Sequence, residues 1–113
     1  YRKNPIVDSW IKGYPECRDL NPASIRESVV NEPLINWHST DGDEALRAIR
    51  ESEGWAGYVS DKAMRRWART LKESDGLWVL PASTAGLNAL IERHLSDSLP
   101  GDRYVAIITG KQS

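Results

Sequence analysis

Gly76-Leu77-Trp78-Val79-Leu80-Pro81-Ala82-Ser83-Thr84-Ala85-Gly86-Leu87 decides how this chain is read, together with Tyr104-Val105-Ala106-Ile107-Ile108-Thr109-Gly110. The first stretch reads as a short strand that stops at a proline and turns into a helix. The second reads as a strand that stops at Thr-Gly. Both are apolar at nearly every position rather than at alternate ones, the pattern of parallel strands covered on both faces. Two such strands joined by a helix predict a right-handed βαβ crossover. In open α/β sheets ligands gather at the carboxyl ends of the strands. Those ends carry Ser83 and Thr84 on one side and Thr109 and Gly110 on the other.

Working outward, the chain has 113 residues, enough for one core, and a formal net charge of −1 with acids and bases interspersed. No basic patch points to nucleic acid. No apolar run is long enough to span a bilayer. The sole cysteine, Cys17, forms no intrachain disulfide, in keeping with a reducing, cytoplasmic setting. The chain starts at Tyr1 and ends just past an apolar stretch, which suggests a piece of a longer protein.

In chain order, Pro5 to Lys12 reads as a helix with Ile6, Val7, Trp10 and Ile11 on one face and Gly13 as its stop. Tyr14 to Pro33 is rich in turn formers, with one helical turn expected between Ala23 and Val29, and Leu34 to Trp37 is expected to be extended. Asp41 and Glu44 read as a capping-box variant opening a helix from Asp43 to Glu53, stopped by Gly54. Trp55 to Val59 reads as a strand. Ser60 caps a helix from Asp61 to Ser74, with Met64, Trp67, Ala68 and Leu71 as an inward stripe. The last helix, Ala82 to Leu95, has small residues toward the sheet and Leu87, Leu90, Ile91 and Leu95 extending its buried side. The expectation is a single α/β domain over 1–113, irregular over 1–38 and regular over 39–113, with a mostly parallel sheet in a partial three-layer sandwich.

No metal-ligand spacing, glycine-rich phosphate loop or G-x-S-x-G elbow occurs. His38 and His94 stand apart, and His94 suits the helix dipole at a C-terminus. The remaining chemistry is the hydroxyl cluster Ser83 and Thr84 at a helix start, where amides attract anions, and Thr109 at a strand end. By spacing alone, an N-cap and an ordinary strand terminus explain these residues as well.

Four stretches in order resemble the threonine synthases. Asp43 to Gly54 resembles a helix ending in a Glu-Ser-x-Gly turn. Val59-Ser60-Asp61 resembles the family's Val-Ser-Asp helix start. Asp75 to Leu87 resembles its strand-turn-helix with Pro-Ala-Ser, and Tyr104 to Gly110 its closing Leu-Thr-Gly strand. The resemblance covers Ser39 to Gly110 well and Tyr1 to His38 poorly. It implies the C-terminal part of a fold type II, tryptophan-synthase-β-like enzyme that uses pyridoxal 5′-phosphate. It further implies that a lysine and a glycine-rich loop upstream of this chain hold the cofactor, and that the amino-acid substrate is met through that missing half. The isolated chain would then be inert. Thr109, Gly110 and Ser83 are the implied cofactor-facing residues, with the Thr109 hydroxyl at the pyridine nitrogen. Leu80 departs from the family, where a glutamate commonly precedes the proline. Cysteate synthase and the serine/threonine dehydratases are therefore alternatives, as is a non-enzymatic α/β binding module. A cut sheet edge would also invite pairing with a second copy.

Overall fold

The computed structural model describes residues 3–111. Its regular elements are four helices, α1 (Pro5–Ile11), α2 (Gly42–Glu51), α3 (Asp61–Asp75) and α4 (Ala85–Ser96). Short 3-10 turns lie at Pro22–Ser24, Glu32–Leu34 and Pro81–Thr84. The chain divides into two compact units, one ending at Tyr58 and one beginning at Val59.

In the first unit, Asn4 caps α1. Its side-chain oxygen accepts from the amides of Ile6 at 2.9 Å and Val7 at 3.3 Å, and Pro5 fills the first position, where no amide partner is needed. Gly13, at φ +72°, takes the left-handed conformation just after the helix. Asp41 makes no side-chain cap to α2. Instead Asp43, in the first turn, accepts from the Cys17 amide at 2.7 Å, and Gly42 lies so close to Cys17 that a Cβ there would meet its Sγ at 2.5 Å. These contacts pin the loop after α1 onto the start of α2. Leu46 is fully buried beneath them, with Pro5, Ser9 and Val30 also inside. Arg50 closes the far end by donating to the carbonyls of Tyr14 and Pro15. The left-handed residue after α2 is Glu53, at φ +56°, one position before the glycine expected to stop the helix.

In the second unit, Ser60 caps α3 by accepting from the Ala63 amide at 3.1 Å, and Gly76 closes it at φ +66°. Met64 on α3 is 1% exposed, and Val79 and Ala82 are the other buried apolar residues of this unit. The α3–α4 seam is partly polar. The Trp67 indole donates to the Asn88 side-chain oxygen at 3.1 Å, and Thr84, fully buried, directs its hydroxyl at the carbonyls of Pro81 (2.7 Å) and Met64 (3.2 Å). An indole N–H can only donate, so it fixes the orientation of the Asn88 amide. The Asn88 Nδ2 is left buried without an acceptor among the described residues.

The expected parallel sheet, and with it the three-layer α/β sandwich, is absent. Among the described residues no strand forms at 55–59, 77–80 or 104–110. The two apolar segments that were to run parallel meet at one antiparallel bridge, Val79 with Lys111, and at one further bond, from the Leu80 amide to the Gly110 carbonyl at 3.2 Å. A strand exists only through its ladder. Among the described residues the apolar run from 104 to 109 pairs with no neighbouring backbone. Val105 and Ile107 are accordingly 88% and 78% exposed, where a sandwich would bury them. The last helix begins later than expected, because Pro81–Thr84 forms a 3-10 turn, and Leu95 is exposed rather than inward.

Candidate functional site

The end of the second apolar segment and the start of the first form the walls of a shallow groove of about 390 Å³. Residues 76–79 make one side and 108–111 the other. Trp78, half exposed, is part of its lining, and the Lys72 ammonium lies 4.0 Å from the centre of its ring. Lys111 brings a cation to the lining.

The structure brings two of the three residues named from sequence into contact. The Gly110 amide donates to the Ser83 hydroxyl oxygen at 2.8 Å. The Ser83 amide is itself held by the Leu80 carbonyl at 2.9 Å. Thr109 lines the groove and is exposed, and among the described residues its hydroxyl makes no hydrogen bond. Ser83 is part of the support behind the groove rather than of its lining. Thr84 is spent on backbone carbonyls inside the unit. The helix-start hydroxyls thus face carbonyls and an amide. Neither caps α4, whose first turn has no side-chain cap.

Sequence reasoning missed Trp78 and Lys72 as groove features, although their i, i+6 spacing across the helix stop at Gly76 is visible in hindsight. It also missed Asn88, a lone amide among small and apolar positions. His94 accepts from the Leu99 amide at its Nδ1 (3.1 Å) and stacks 5.6 Å from Tyr104, so it organises the loop after α4. In the first unit, His38 pairs with Asp19 at 2.7 Å beside an open polar cleft of about 560 Å³. Among the described residues no three His, Cys, Asp or Glu side chains converge as metal ligands. Burial pushes the Cys17 thiol above its ordinary value, the opposite of an activated nucleophile. No helix among the described residues is long and apolar enough to cross a membrane.

One curated relative fits over nearly the whole chain. The chain is similar to a threonine synthase. That protein, from Methanocaldococcus jannaschii, is 31% identical over 109 residues, which are 94% of this chain. The chain spans 25% of the relative's own length. No family model matches, and no solved structure matches.

Proposed function

We propose that this chain is the C-terminal part of a pyridoxal-phosphate-dependent, threonine-synthase-like lyase, which converts O-phosphohomoserine to threonine and phosphate. The similarity over 94% of the chain to a quarter of a threonine synthase carries this reading. The groove supports it. A pyridine ring presents one acceptor in its plane, and Thr109 offers one unengaged hydroxyl on an open wall. When bound, the cofactor supplies an electron sink for the substrate carbanion. This chain's contribution would be the far wall. Thr109 would donate to the ring nitrogen, and a neutral hydroxyl partner leaves that nitrogen largely unprotonated. The lysine that binds the cofactor would come from outside the chain. Lys62 and Lys72 lie on the charged face of α3, and Lys72 is engaged over Trp78. Leu80, where the resembled family commonly has a glutamate, leaves room for a cysteate synthase or a serine/threonine dehydratase-like relative as the parent.

The test is made on the full-length protein that contains this chain. Purified with its cofactor, it should release phosphate from O-phosphohomoserine. Thr109→Val keeps the shape and removes the hydroxyl. It should cost about 1–3 kcal/mol where the ring nitrogen needs a partner, roughly ten- to hundredfold in rate, and it should shift the cofactor absorbance. Wild-type turnover with an unshifted spectrum would remove Thr109 from the ring. No phosphate release by the wild-type protein would overturn the activity itself.

A further inference from the structure

We infer that Ser83 is a positioning residue that fixes the Thr109–Gly110 end of the groove by accepting the Gly110 amide. The inference rests on the reading of Thr109 as a ring partner, and gives Ser83 a separate task. Both main-chain polar groups of Gly110 are engaged by one short segment. Its N–H donates to the Ser83 hydroxyl at 2.8 Å, and its carbonyl accepts from the Leu80 amide at 3.2 Å. Ser83 is fixed in turn, because its amide donates to the Leu80 carbonyl at 2.9 Å. The approach is closer than a side chain permits. A Cβ on Gly110 would stand 2.4 Å from the Ser83 Oγ and 2.8 Å from the Leu80 Cδ1. Ser83 and Gly110 are therefore matched to each other.

Among the described residues, the other hydroxyl of the turn is already committed. Thr84 is fully buried and committed to the carbonyls of Pro81 and Met64. Among the described residues Thr109 makes no hydrogen bond of its own, and the chain before it runs exposed through Val105 and Ile107. What holds Thr109 is thus the Gly110 clasp and the neighbouring Val79–Lys111 bridge. A hydroxyl that must meet one acceptor atom has to be held to within about 0.5 Å by its supporting contacts. Here an amide that a ladder neighbour would otherwise satisfy is taken by a side chain from the turn.

Solution NMR of the chain itself tests this. In the wild-type chain the Gly110 amide should show a small temperature coefficient. Its exchange should be slower than in Ser83→Ala by about tenfold, the weight of one hydrogen bond. The Thr109 amide–α proton coupling, which reads its backbone angle, should move to an averaged value in Ser83→Ala. Ser83→Thr, which keeps the hydroxyl, should restore both signatures. Unchanged Gly110 exchange and Thr109 coupling in Ser83→Ala would overturn the inference. So would a steep Gly110 temperature coefficient in the wild type, which needs no variant to fold. The two readings fail separately: a protected Gly110 in this chain, together with an unshifted cofactor spectrum for Thr109→Val in the full-length protein, supports the clasp and overturns the ring-partner role.

Discussion

Two glycines of the second unit are needed for different reasons. Gly76 stands at φ +66° with nothing within 4 Å of where a Cβ would be, so its requirement is one of backbone alone. Gly110 has no positive φ but has Ser83 and Leu80 pressed against its α-carbon. Gly76→Ala should therefore cost about 1–2 kcal/mol, the left-handed penalty, whatever surrounds it. Gly110→Ala should cost about 1–3 kcal/mol by overpacking, and less in a Ser83→Ala background, where the nearest atom is gone. Urea unfolding of the four variants measures this, and an equal Gly110→Ala cost in both backgrounds would show that Ser83 is not the obstacle. At this scale the sequence was informative about composition and not about partners. Ser83, Thr109 and Gly110 stand out as hydroxyls and a glycine at apolar-run ends. Which hydroxyl takes the Gly110 amide depends on a 3-10 turn, and the turn carries no clear mark separating Ser83 from Thr84.

The helices were legible because each is bracketed by local chemistry. Ser60 starts α3 and Gly76 ends it, and Pro5 opens α1. Asp41 misled, because the competing partner for the acidic side chains at the start of α2 is the distant Cys17 amide. The strands failed for a non-local reason. An apolar run records only that its residues can be buried, and whether a ladder forms depends on backbone from elsewhere. The packing of α1 against α2 also sets a pH response. Burial raises the Cys17 thiol from its ordinary value near 9.0 and the Tyr58 phenol from near 10.0. The Tyr58 hydroxyl donates to the Asn4 carbonyl, at the cap of α1. The Asp8 carboxylate, 3.2 Å away, raises Lys12 as well. All three folded values lie above the unfolded ones, so the folded unit keeps its protons longer. Their stabilising share is full below the unfolded values and is lost as pH rises through the folded ones. The urea midpoint should therefore fall as pH rises above about 9, and Cys17→Ser with Tyr58→Phe should flatten the decline. An unchanged slope in that double variant would assign the pH response to other groups.

For the molecule as a whole, the uncovered apolar surface is the dominant fact. Leu77, Trp78 and Leu80 are 41–54% exposed, and Val105 and Ile107 more so. Extended, uncharged chain with free backbone groups pairs readily with another such segment. The isolated chain should self-associate as its concentration rises. Sedimentation velocity should show a growing share of dimer and larger species, and Val105→Lys with Ile107→Lys should return it to monomer. A monomer at every concentration would mean that this surface is too small or too mobile to bind its own kind.

The Trp67–Asn88 hydrogen bond has a practical corollary. One indole proton is tied by its acceptor to the closure of α3 on α4, so it is a native spectroscopic reporter for the second unit. The Trp67 indole N–H resonance, one of five in the chain, follows whether that seam is shut.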